Sequence, residues 1–312
     1  MNAPQYVKGK LPVGRTVAVR APAKVNLHLE VLKQRHDGYH EIETILQAVT
    51  LFDRVTVELV ERYPGGEPRL DISVSASGIQ APGDETNLCW QAARHFCREA
   101  GVSGHLRIAL HKEIPIAAGL GGGSSDAAAV LVACDRLFET KLDVEDLEVM
   151  AAPLGADVPF FIRGGTALGR GIGTRLTRLP LIRSGQFLIL KPDLELRTKE
   201  VYANLKMGLT VNSAKANIQV IKPQLARFPR KTWPGFNRLE DVVLPWSPAL
   251  QRLVFQLREQ APIAMLSGSG SAVFGVFPDS TVLSPIAREY EVTGLFVRIV
   301  GPHAAGVEIR DD

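Results

Sequence analysis

Residues 115–128 read P-I-A-A-G-L-G-G-G-S-S-D-A-A, with four glycines, Gly119, Gly121, Gly122 and Gly123, in five positions. Such density removes the side chains that would keep a backbone from wrapping an anion, and it allows the positive φ values of a tight turn, at Gly122 among others. A concave run of N–H donors results. Residues 125–138 behind it are rich in alanine and read as a helix, and Ser124, Ser125 and Asp126 are residue types that cap a helix start. A helix N-terminus carries roughly half a positive charge and unpaired N–H groups, so loop and helix together outline a phosphate site. A lone glycine-rich turn is more often a hinge or a packing turn; the helix behind this one favours phosphate. No Lys-Ser or Lys-Thr follows the glycines, which excludes a Walker A loop, and G-x-G-x-x-G fits from position 119 only loosely, with no acidic partner downstream.

Asp157 follows Gly155 and precedes Pro159 in an apolar setting, where a carboxylate is costly unless it has a partner or a task. Taken alone it reads as a turn former at a helix end. Lys24 lies in K-V-N-L-H-L-E-V-L and alone reads as an exposed strand position, with Asn26 two residues on along the same face. Asp37-Gly38 is a turn signal that leaves Tyr39 and His40 just past a loop tip. The stretch S-G-S-G-S at 267–271, with Gly268, Ser269 and Gly270 at its centre, is a second run of N–H donors, suited to a diphosphate or to a hairpin turn. Thr86 or Asn87 reads as a helix cap, Lys112 as an exposed strand residue, and Thr198 heads a helix that carries Tyr202.

The elements that must hold these residues follow from apolar periodicity. T-V-A-V-R, K-V-N-L-H-L-E-V-L and D-R-V-T-V-E-L-V alternate as strands do. Residues 87–100 place Leu88, Ala92, Phe96 and Ala100 on one helical face, and Leu106, Ile108 and Leu110 alternate as a strand leading into the glycine loop. A second helix follows over 144–154, then a glycine-rich strand pair around 164–175. Beyond lie a strand at 187–190, a helix at 248–259 with Leu250, Leu253, Val254 and Leu257 on one face, and strands at 272–277 and 295–300. No regular βαβ rhythm appears, so the class is α+β.

At 312 residues the chain exceeds what one core usually serves, so two domains are expected: a flexible tail at 1–15, then 16–180 and 181–312. Residues 210–233 match no pattern. The balance of 46% apolar and 22% charged residues is that of a globular protein, and 36 basic against 33 acidic residues is too even for a nucleic-acid footprint. Cys89, Cys97 and Cys134 lack metal-ligand spacing and are odd in number, which fits a reducing cytoplasm. No apolar run reaches the roughly 18 residues of a membrane span.

Pro115, Ile116, Ala117, Ala118, Gly119, Leu120, Gly121, Gly122, Gly123, Ser124 and Ser125 together resemble the phosphate loop of the GHMP kinase superfamily. A-P-A-K-V-N-L, D-G-Y-H, the Asn87-Leu88 pair, L-G-A-D-V-P-F-F and L-S-G-S-G-S-A-V-F extend the resemblance over nearly the whole chain. It implies a two-domain fold, ribosomal-protein-S5-like in the N-terminal half and ferredoxin-like in the C-terminal half. It also implies transfer of the ATP γ-phosphoryl group, with magnesium, to a hydroxyl of a small metabolite. Asp157 would accept the hydroxyl proton and Lys24 would steady the developing charge; Asn87 and Lys112 would line the adenine pocket. Early Lys-Val-Asn together with D-G-Y-H is similar to a member whose substrate carries a cytidine diphosphate group. There Tyr39 and Tyr202 would face the cytosine, His40 would read its edge, and Asn26, Thr198 and the 268–270 loop would hold the remainder. The other readings are a GHMP kinase for homoserine or mevalonate, which gives D-G-Y-H no purpose, and a nucleotide sensor, which gives Lys24 and Asp157 none.

Overall fold

The computed structural model describes residues 14–63, 69–205, 225, 228–229, 235–278 and 283–310. Nearly all of the expected tail and most of 210–233 lie outside them. Among the described residues there are two sheets, the first of eight strands and the second of four.

The first sheet is organised by two long antiparallel strands, β1 (Arg15–Gln34) and β2 (His40–Arg62). T-V-A-V-R and K-V-N-L-H-L-E-V-L, read as separate strands, are one. The Pro22 that interrupts them falls at a register shift between Pro22 and Ala23, where a missing N–H is tolerated. β3 (Leu70–Gly78) runs parallel to β4 (Gly104–Lys112), joined through helix α1 (Leu88–Ala100). Asn87 caps α1 by accepting from the Cys89 N–H, and Gly101 ends it at φ 64°. Helix α2 (Gly122–Phe138) comes next, then α3 (Val144–Ala151) and α4 (Val158–Arg163), followed by the strand pair β5 (Thr166–Gly171) and β6 (Arg175–Arg178), with β5 on the edge of β2.

The second sheet is built from β7 (Gln186–Lys191), β9 (Ile263–Leu266), β10 (Val273–Phe277) and β11 (Phe296–Val300), in the antiparallel order β11-β7-β10-β9. That is the ferredoxin-like order. Helix α5 (Thr198–Ala203), the two-residue strand β8 (Phe236–Asn237) and helices α6 (Glu240–Trp246) and α7 (Pro248–Gln260) precede β9, and α8 (Leu283–Glu291) precedes β11. β8 and a last strand β12 (Glu308–Arg310) pair with β1, so the C-terminal half completes the first sheet.

Alternation explains how the layers hold together. On β7, Phe187 and Ile189 turn toward β1 and β2 and join Val25, Leu27, Ile45, Met265 and Phe274 in the core between the sheets. Leu188 and Leu190 turn the other way, onto Leu250, Leu253, Val254 and Leu257 of α7. A further core lies under α1 and α2, where Phe96 and Phe138 stack. Burial on both faces makes the middle of β1 continuously buried, so its polar residues there need partners.

Candidate functional site

The glycine loop differs from its reading in two respects. The helix behind it begins at Gly122, not at Ser125, and Gly121 is its N-cap, with no side-chain cap bond. Ser124, Ser125 and Asp126 are therefore inside the first turns and do not cap. Positive φ occurs at Ala117 (52°), Gly119 (74°) and Gly121 (73°), not at Gly122. Gly122 is glycine for space: a Cβ there would lie 2.9 Å from Ile114 Cγ2 and 3.1 Å from Lys112 Nζ. Gly121 is glycine for both reasons, since its Cβ would lie 2.7 Å from the Phe161 ring and 3.1 Å from Lys24 Cγ.

Lys24, buried in β1, is where the parts meet. Its ammonium donates to the Gly119 carbonyl at 2.8 Å and to Asn26 Oδ1 at 2.7 Å, and it faces Asp157 Oδ2 at 3.5 Å. Asn26 Nδ2 in turn donates to Thr44 Oγ1 at 2.8 Å, and Thr44 donates to the His28 carbonyl. Lys24 is thus oriented from both sides. Asp157, at the start of α4, makes no cap bond, and its side chain is 35% exposed. A carboxylate beside a fixed ammonium, open to a ligand, can accept a proton from a hydroxyl placed against it.

The loop between β9 and β10 closes on the same point. Ser267 Oγ donates to the Gly119 carbonyl at 2.8 Å, and the Ala272 N–H donates to the Ala118 carbonyl. A Cβ on Gly268 would lie 3.3 Å from Asn26 Oδ1 and 3.4 Å from Lys24 Nζ. Asn237 of β8 steadies this loop by donating to the carbonyls of Leu266 and Gly268. Ser269 Oγ lies 2.8 Å from Thr198 Oγ1 at the head of α5. One turn along α5, the Tyr202 ring sits 5.2 Å from that of His40. Burial, with a contribution from the Asp157 charge, raises the Tyr202 phenol, while burial lowers the His40 imidazole. Tyr39, 62% exposed, stands on a turn that is fixed from within: its carbonyl accepts from the Arg35 N–H and its N–H donates to Asp37 Oδ1.

Asn87 and Lys112 stand elsewhere around the glycines. Asn87 heads α1, and the next residue, Leu88, would be 3.5 Å from a Cβ on Gly123. Lys112 is not an exposed strand residue. Its ammonium is buried between Asp53 and Asp126 at 2.5 and 2.7 Å. Thr44, Asp53 and Asn237 went unassigned in the sequence because each acts through a partner distant in the chain.

Residues 87–165 match the family model described as GHMP kinases N terminal domain. A homoserine kinase from Cytophaga hutchinsonii superposes with a TM-score of 0.75 over 95% of this chain and 97% of that one, at 19% identity. The fold is that of the GHMP kinases. A crystal structure of 4-(cytidine 5'-diphospho)-2C-methyl-D-erythritol kinase superposes with a TM-score of 0.74 at 35% identity, covering 91% of this chain and 99% of that one. The 4-diphosphocytidyl-2-C-methyl-D-erythritol kinase of Lachnoclostridium phytofermentans is 36% identical over 279 residues, 88% of this chain and 93% of its own length. This chain belongs to the 4-diphosphocytidyl-2-C-methyl-D-erythritol kinase family.

Proposed function

We propose that this protein transfers the γ-phosphoryl group of ATP to the 2-hydroxyl of 4-diphosphocytidyl-2-C-methyl-D-erythritol, a step of non-mevalonate isoprenoid precursor synthesis. The observation that carries the reading is the convergence on Lys24. One buried ammonium holds the carbonyl of the glycine loop at Gly119 and faces Asp157 at 3.5 Å, so phosphate cradle, cation and base share one locus.

In this reading Asp157 takes the proton of the attacking hydroxyl as its oxygen bonds to the γ-phosphorus and the bond to ADP breaks. Lys24 offsets the charge on the transferring group. Little else is asked of the protein, since phosphoryl transfer is catalysed mainly by position and electrostatics. The triphosphate lies along the glycine loop and the N-terminus of α2, with adenine toward Asn87 at the head of α1. Magnesium bound with ATP would neutralise phosphate charge; no residue of the chain is assigned to it. Tyr39, His40 and Tyr202 hold the cytosine, Thr198 and the 268–270 loop the diphosphate, and Asn26 the erythritol. Residues 16–180 supply the nucleotide half and 181–312 the remainder. A cytoplasmic setting fits this chemistry, and among the described residues no helix is long and apolar enough to cross a membrane.

The test is ADP release by the purified protein with the cytidine substrate, homoserine and mevalonate offered separately. Turnover is expected with the first alone. Comparable turnover with homoserine or mevalonate would assign the site to another GHMP kinase.

A further inference from the structure

Beneath the glycine loop, three charged side chains share one buried site. Lys112 ends β4 with its ammonium 2.5 Å from Asp53 Oδ2 on β2 and 2.7 Å from Asp126 Oδ2 on α2, and all three side chains are at most 3% exposed. Asp53 is fully used: its Oδ1 accepts the N–H groups of Glu113 and Ile114, which fixes the chain leading into the loop. Asp126 is not, because no donor reaches its buried Oδ1. The charge lies close under the loop, since a Cβ on Gly122 would be 3.1 Å from Lys112 Nζ.

Two carboxylates against one ammonium leave a negative charge in excess, and burying that charge is costly. Keeping one carboxyl protonated removes the cost. Asp126, whose second oxygen receives no donor and whose carboxyl can hydrogen-bond to Asp53 once protonated, is the group placed to carry the proton. Burial holds its carboxyl up at about 8; Lys112 opposes this shift and Asp53 reinforces it. Burial lowers the Lys112 ammonium, but the two carboxylates outweigh it and hold the group above its ordinary value, and burial keeps the Cys89 thiol of α1, the further titratable group facing this site, neutral. On the other side of the glycines, Lys24 of β1, which faces Asp157, approaches the loop at Gly121.

We propose that Asp126 is a positioning residue of the nucleotide loop: as a neutral acid it lets Lys112 hold the first turn of α2 under the glycines, and as a carboxylate it sets a negative charge beneath the bound triphosphate. This rests on the loop being the ATP site. ATP affinity should then fall as Asp126 ionises, independently of the acceptor substrate.

The experiment is calorimetric titration of the full chain with MgATP at pH 6.5, 7.5 and 9. The parent's Kd should rise on the order of tenfold across that range, the effect of a partly screened unit charge beneath the loop. Asp126→Asn should give a flat Kd, whatever its absolute level. A parent with pH-independent Kd, or a variant that keeps the parent's slope, overturns the proposal. A parent that binds no ATP at any pH overturns the nucleotide-site reading and this inference with it. If Asp126→Asn does not fold, carbon NMR of wild-type protein labelled at the aspartate carboxyls decides: one resonance should titrate near pH 8, and its absence overturns the proposal.

Discussion

Replacing Gly119 by alanine tests the glycine loop where two distant segments touch. Gly119 sits at φ 74°, and a Cβ there would overlap the Ser267 carbonyl and lie 3.2 Å from the Gly270 nitrogen. Both obstacles are backbone, so no rotamer change relieves them. A non-glycine residue in left-handed conformation costs roughly 1 to 2 kcal/mol and overpacking a further 1 to 3, giving about 2 to 5 kcal/mol for Gly119→Ala. Gly123 is the internal control: it is helical, and its Cβ would meet only Leu88 Cδ1 at 3.5 Å. Gly123→Ala should therefore stay within about 1 kcal/mol of the parent, on the stabilising side through better helix propensity. Urea denaturation of the three proteins supplies the numbers. Equal stability of Gly119→Ala and Gly123→Ala would refute the packing of the two loops described above.

Asp157→Asn keeps size and much hydrogen bonding but removes the proton acceptor, so kcat should fall about 100- to 10,000-fold with ATP affinity retained; turnover within a few-fold of the parent would remove Asp157 from its role. Tyr39→Ala should lose roughly 1 to 3 kcal/mol of base stacking, seen first in KM for the cytidine substrate, with KM for ATP unmoved. His28 is buried with neither ring nitrogen paired, and burial lowers its imidazole to about 4. Because the unfolded chain binds the proton more readily, stability should be lost as pH falls from 6.5 toward 4, by about 3 kcal/mol, and His28→Phe should flatten that loss in denaturant midpoints.

The parts legible in the sequence were those written in short windows. The glycine loop, the D-G turn with Tyr39 and His40, the Asn87 cap and the stripe of α7 each depend on neighbours within a few residues. Long-range pairing was not legible: β3 is exposed on alternate positions and carries serines, and β12 has three residues, so neither has an apolar signature of its own. Asp126 illustrates the same limit at the site. Its position after two serines suits a helix cap, and only the fold brings in Lys112 and Asp53, which bury it and change its chemistry. Glycine spacing likewise could not distinguish a residue needed for its φ, such as Gly119, from one needed for space, such as Gly122.

Phosphorus NMR of the product is the decisive measurement. Parent enzyme, MgATP and the cytidine substrate should yield ADP and one new phosphomonoester resonance on the methylerythritol portion, with the diphosphate signals intact. The uridine analogue should react markedly less well if His40 reads the cytosine edge as proposed. ADP formation without a new phosphomonoester, or equal efficiency on the cytidine and uridine substrates, would contradict the assignment.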